Sequence, residues 1–399
     1  MMSKERVIMA INHEETDKIP VDLGSSFETG IHIYTYHELK KALRATTGSI
    51  EMIDMLQSLA KVEEDVIDKF NIDVIPLPGI YDALGIRYGV GQKKWTMPRG
   101  ITCNVSKDFN PIKLCDGSYM IKRGGNTFIS PNNGFYFDPV ELALHDAESI
   151  MDIEKKFSFD EYSKEEIEFY KRETSILMNT DKTVLADIFI NFEIEYYFGY
   201  EKALMNLIDN KKMMVDFIER LTDMYIRRFT QFKEAVGNSV DILLVAKDLG
   251  NQNGPNINPK LVREIFIPCM KKYVSYVKEN SDYYVMLHSC GSIYEFIPDI
   301  IDCGFDILNP VQINAKNMDP EKLKKEYGKY LCFWGGGVDT QKVLPFGFEK
   351  DVREQVRKNA KILSKDGGYV FNPVHNIQAN VPVNNIIAAF DEINRFSLS

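Results

Sequence analysis

From about residue 240 the chain alternates short apolar runs with polar stretches of helical character. The runs are DILLVAKDLG (241–250), YYVMLHSCG (283–291), FDILNPVQ (305–312), YLCFWGGGVD (330–339) and GGYVFNPVH (367–375). Each is continuously apolar rather than alternating, as expected of a parallel strand buried on both faces. Between them, Asn258 with Pro259, Asp319 with Pro320, and Pro382 are positioned to open helices; Gly328 can close the second, and the third should end near Phe396.

Three earlier runs extend the series: IPVDLG (19–24), DVIPLPG (73–79) and TVLADIFI (183–190). The middle one is the weakest, because Pro76 and Pro78 cannot donate to a ladder. Eight runs separated by helices predict an α/β protein, a (β/α)8 TIM barrel with an N-terminal helical segment, as one domain over residues 1–399. Residues 86–137 break the pattern with short aromatic and β-branched pieces between Gly, Asn and Pro, such as KKWTMPRGITCNV and DGSYMIKRGGNTFIS. They read as one or two inserted β-hairpins, part of a lid or an interface.

Composition narrows the function classes. Hydrophobic residues are 44% of the chain, enough for a core, and the formal charge of -10 argues against nucleic acid, which needs clustered Lys and Arg. Charges interrupt the amino terminus, and no run reaches the roughly 18 apolar residues of a membrane span. The expectation is a cytoplasmic protein with no membrane partner. The six cysteines form no C-x-x-C pair and no disulfide-like framework, so most are expected reduced and buried.

Cys290 is the exception. It follows His288 by two positions at a strand end, so both donor atoms can face one side, and imidazole with thiolate is a zinc-favouring pair. The last run also ends in a histidine, His375, which a barrel would bring to the same face. His288, Cys290 and His375 would give three ligands and one open position, the usual composition of a catalytic zinc site. The same residues also fit a bland arrangement: a strand-capping His288, a small buried Cys290 and a loop hydrogen bond at His375.

Four blocks carry a family resemblance: RVIMAINHEETDKIPVDLGSS, AKDLGNQNGPNINPKLVREIFIP, HSCGSIYEFIPDIIDCGFDILNPVQ and GGYVFNPVHNIQANVPVNNI. Together they resemble the uroporphyrinogen decarboxylase superfamily. More narrowly they are similar to its cobamide-dependent branch, which holds methylcobamide:coenzyme M methyltransferases and corrinoid-dependent demethylases. The resemblance implies a (β/α)8 barrel whose zinc is held by a His-x-Cys and a later Cys. His288 and Cys290 fall on the first two positions, whereas His375 stands where the later Cys is usual. One thiolate instead of two leaves zinc near a net charge of +1, a stronger Lewis acid suited to polarising an ether or alcohol oxygen.

The function expected from this is zinc-dependent transfer of a methyl group from a methoxylated compound or methanol to a partner corrinoid protein. Asp248 and Gln252, after one strand, are candidate catalytic residues. Asn309, Gln312 and Asp339 follow others, although Asn309 and Asp339 also suit loop capping. Lys247 reads most simply as a surface lysine, while Asp187 and Glu193 are carboxylates that could line the pocket. The triplet Gly335, Gly336 and Gly337 lacks a P-loop or dinucleotide pattern and could admit a corrin face.

Three alternatives compete. One is the reverse chemistry, from a methylcobamide to a thiol. A decarboxylase of a polycarboxylated tetrapyrrole needs arginines at the mouth, and GSSFETG after the first run supplies none. A non-catalytic corrinoid-binding barrel need not hold zinc.

Overall fold

The computed structural model describes residues 1–45, 50–178 and 180–397. Seven of the eight runs are strands of one parallel sheet: β1 Val74–Pro78, β2 Thr183–Asn191, β3 Ile242–Ala246, β4 Tyr284–His288, β5 Ile307–Asn309, β6 Cys332–Trp334 and β7 Tyr369–Val370. Their order across the sheet is their order along the chain. β1 accommodates Pro76 and Pro78 because it is an edge strand, paired with β2 alone.

The first run, residues 19–24, forms no strand, which corrects the expected eight. Val21 makes an isolated parallel bridge with Phe371, and Val21 O accepts the Asp73 N–H at 2.8 Å beside β1. The segment therefore joins both edges of the sheet. It does not propagate a ladder, because Pro20 has no donor and the Val21 N–H goes to the Asp73 carboxylate at 3.0 Å. The architecture is a curled parallel sheet of seven strands.

Both faces of that sheet are buried, as continuous apolar runs require. Leu185, Ile242, Leu244, Met286, Ile307, Cys332, Trp334 and Val370 pack in one inner cluster with Val7, Ala10 and Ile11 of the N-terminal helix Ser3–Ile11. Their strand neighbours Val184, Leu243, Val245, Val285, Leu287, Leu308 and Phe333 pack outward with the helices. The N-terminal helix is pinned by Arg6, whose guanidinium pairs with Asp73 at 2.7 Å. This alternation puts His288 in line with Met286, and Asn309 with Ile307, on the inner face at the carboxyl ends of β4 and β5.

The expected helix starts are present. Asn258 caps Pro259–Leu261 by accepting from Lys260 N, and the chain continues through a π-turn at Val262–Phe266 into Ile267–Asn280. Asp319 caps Pro320–Tyr327, and the last helix is Val383–Arg395. The aromatic insertion is antiparallel and larger than the one or two hairpins its sequence suggests. Gln92–Thr96 pairs with Thr102–Ser106, and a four-stranded piece runs from Ile112–Lys113 to Asp138–Glu141. Trp95 stands edge-on to Phe109 and Tyr119, 5.3 Å from each, and this aromatic group is continuous with the main core. Among the described residues no helix is long and apolar enough to cross a membrane.

Candidate metal centre

β4 ends at His288 because the chain then turns to meet its neighbours' loops. Gly291 has φ +87°, and a Cβ there would lie 2.4 Å from the Gly250 carbonyl carbon, so only glycine lets the loops after β3 and β4 touch. Ser289 is fully buried; its N–H bonds Asn309 O at 2.7 Å, and its hydroxyl accepts from Leu249 N at 3.0 Å. The HSCG turn is thereby fixed from both sides.

His288, Cys290 and His375 converge: one donor atom from each lies within 4.8 Å of the others. Cys290 Sγ is 3.4 Å from His288 Nε2, and the two imidazole centroids are 5.4 Å apart. The opposite nitrogen of His288, Nδ1, lies 2.7 Å from Asn309 Oδ1, while Asn309 Nδ2 donates to Trp334 O at 3.2 Å. The second contact sets the amide's orientation, so its oxygen faces the ring and accepts from Nδ1–H. Nε2 keeps its lone pair on the side of Cys290.

Asp248 sits behind the thiol. Its Oδ1 accepts the Cys290 N–H at 2.6 Å, and its own N–H is held by Glu193. Burial, together with the negative charges of Asp248 and Glu28, pushes the Cys290 thiol well above its usual pKa. Without a cation beside it the sulfur is therefore a protonated thiol. A dication beside the sulfur reverses that preference, and two imidazoles and a thiolate are a donor set of the zinc type. The residues present fit the metal.

Glu28 is the residue that sequence reasoning missed. Its Oε2 lies 3.5 Å from His288 Nε2 and 3.3 Å from His375 Nε2. Burial opposes ionisation of this carboxyl, but the facing imidazoles bring its pKa down to about 2. His375 is correspondingly raised: burial acts against its charge, and the Glu28 contact outweighs it. The loop carrying Glu28 is stapled to the His375 loop by the next residue, Asn376, whose side chain donates to Phe27 O at 2.7 Å and accepts from Gly30 N. Phe27 N–H is held in turn by Asp187 at 3.2 Å, so Asp187 supports the site from β2. No local pattern in GSSFETG announces this. A loop carboxylate reads as solvated until the fold sets it opposite two histidines.

The remaining candidates are placed as follows. Gln252 bonds Asn314 O and accepts from Gln312 Nε2 at 3.1 Å, while Gln312 Oε1 holds Gly291 N at 2.7 Å. Both glutamines brace the turn rather than meet the three donors. Asp339 accepts from Gln341 N at 2.7 Å and Lys342 N at 3.1 Å, the loop-capping arrangement. Lys247 is no surface lysine: it is fully buried, with Nζ 3.0 Å from Glu193 and 3.3 Å from Glu195. Burial works against its charge, but the two carboxylates hold its pKa above the usual value. Gly335, Gly336 and Gly337 are buried, and a Cβ on the third would strike the Phe371 ring at 2.3 Å. The close approach these glycines permit here is to the protein's own chain.

An inward-facing cluster of metal-ligand type at the carboxyl ends of a curled parallel sheet belongs to an α/β protein of barrel-like fold. The uroporphyrinogen decarboxylase (URO-D) family profile matches residues 195–396, just over half of the 399-residue chain, and the chain belongs to that family. The matched segment contains His288, Cys290 and His375 but not Glu28. Among solved structures, a methyltransferase from Methanosarcina mazei is similar at a TM-score of 0.59 and 17% identity, over 99% of each chain. At that identity the likeness is one of fold. No curated protein matches the chain.

Proposed function

We propose that this chain is a zinc-dependent methyltransferase that takes a methyl group from a methoxylated compound or methanol and delivers it to a corrinoid protein. The observation that carries this reading is the convergence of His288, Cys290 and His375 within 4.8 Å, with Asn309 aiming one imidazole at the thiol. The methyltransferase fold neighbour supports it.

Zinc held there would act as a Lewis acid on the oxygen of the methyl donor. The chain's own residues supply the rest. Asn309 keeps His288 in the tautomer that offers Nε2, Asp248 fixes the backbone under Cys290, and Asp187 positions the loop that faces the site. With two neutral imidazoles and one thiolate, the His-Cys-His set leaves more positive charge on the metal than a His-Cys-Cys set does. That favours releasing an oxygen over keeping a thiolate nucleophilic.

The test is metal content of the purified chain and of His375→Cys and His375→Ala variants, followed by methyl transfer from methanol and methoxylated donors to a reduced corrinoid protein. One zinc per chain, kept in the Cys form and lost in the Ala form, together with corrinoid methylation, is the expected result. Absence of zinc in all three under non-stripping conditions overturns the proposal, and equal or better transfer to a thiol acceptor reverses its direction.

A further inference from the structure

Four donors held about 2.0–2.3 Å from a tetrahedral zinc lie about 3.3–3.7 Å from one another. Three separations in the cluster have that size: Glu28 Oε2 to His375 Nε2 at 3.3 Å, Cys290 Sγ to His288 Nε2 at 3.4 Å, and Glu28 Oε2 to His288 Nε2 at 3.5 Å. Two of the three belong to Glu28. We infer that Glu28 is a fourth protein donor to the metal, closing the site until a substrate oxygen takes its place. This rests on the zinc reading and deepens it.

The loop is built for such a role. A solvated carboxylate needs no anchoring, yet residues 26–30 are tied down at three points. Glu28 N–H bonds Ser26 Oγ at 3.1 Å, Phe27 N–H bonds Asp187, and the fully buried Asn376 amide holds both Phe27 O and Gly30 N. Asn376 adjoins His375, so one side chain fixes the distance between the two donors. The anchors lie on the backbone, which leaves the Glu28 side chain free to rotate away without disturbing them.

Charge gives the arrangement a direction. A thiolate and a carboxylate together offset a dication, whereas release of Glu28 leaves one positive charge uncompensated. The site is then least electrophilic when closed and gains its Lewis acidity only as a neutral alcohol or ether oxygen enters.

The measurement uses the full chain loaded with cobalt(II) in place of zinc, comparing wild type, Glu28→Gln and Glu28→Ala. Visible ligand-field bands report the donor set, and chelator competition reports zinc affinity. Glu28→Ala should change the bands and weaken zinc binding by about tenfold or more. Glu28→Gln, which fills the same space and carries the test if the Ala form does not fold, should shift the bands and lose the charge-dependent part of the affinity. Identical spectra and affinities in all three overturn the inference while leaving the three-ligand reading intact. A wild-type chain that binds neither metal overturns both.

Discussion

An amide oxygen cannot donate, so the 2.7 Å contact between Asn309 Oδ1 and His288 Nδ1 puts the ring proton on Nδ1 and turns the Nε2 lone pair toward Cys290. Without that acceptor the imidazole can rotate or change tautomer, and each alternative costs the metal a ligand. Asn309→Ala should therefore weaken zinc binding by roughly 10–100-fold, and Asn309→Asp, which keeps an acceptor in place, should retain most of it. Chelator competition on the two variants checks this; equal affinity in the Ala form would show that the ring is held by its packing alone. His288, Cys290 and His375 were legible in the sequence because residue type and strand-end position coincide. Glu28 was not, since its partners lie far along the chain, and Asn309 was legible as a residue that could hold a zinc-bound imidazole but suited loop capping equally well until the fold set it against His288. Lys247 was misread for the same reason: its countercharges, Glu193 and Glu195, lie more than 50 positions upstream.

The side chains that bind the strand-end loops together can reach one another only because glycines let the backbones touch. At Gly291 two demands coincide: a left-handed φ of +87° and a backbone approach that leaves no room for a methyl group, with Gly250 C and O both 2.4 Å from an added Cβ. Relaxing the clash means moving the loop after β3, and with it Asp248, away from the Cys290 N–H. Gly291→Ala should cost at least about 2 kcal/mol of stability and also lower metal occupancy, read from a melting curve and metal analysis of the same sample. A variant that melts normally with full zinc would show that the two loops separate freely. Strands were the most readable elements because burial on both faces leaves a continuous apolar signature. Residues 19–24 carry the same signature without being a strand, because the hydrogen-bond partner of Val21 N is a side chain, and apolar pattern does not distinguish ladder bonds from side-chain bonds.

At the scale of the whole molecule, the segment that joins the two sheet edges carries a carboxylate into the interior. Asp22 is fully buried, receives the Trp334 indole N–H at 2.8 Å, and takes a weaker bond from Ser25 N at 3.3 Å. Burial outweighs those bonds and raises its pKa to about 6, against an ordinary value of 3.8. The folded chain thus holds this proton more tightly than the unfolded chain does. The stability linked to it is complete below about pH 4 and is lost as pH rises through about 6, with a limit of about 3 kcal/mol for a shift of this size. Carboxyls with depressed pKa values, such as Asp17 at about 2 beside Arg6, act in the opposite sense and at lower pH. The informative quantity is therefore the difference between wild type and Asp22→Asn, which keeps an acceptor for Trp334 and cannot titrate. Denaturant unfolding at pH 4.5 and 7.5 should show wild type losing stability relative to the variant as pH rises. If the two change in parallel, Asp22 is either hydrated or already ionised in the folded chain, and the join between the sheet edges contributes nothing to the pH dependence of the fold.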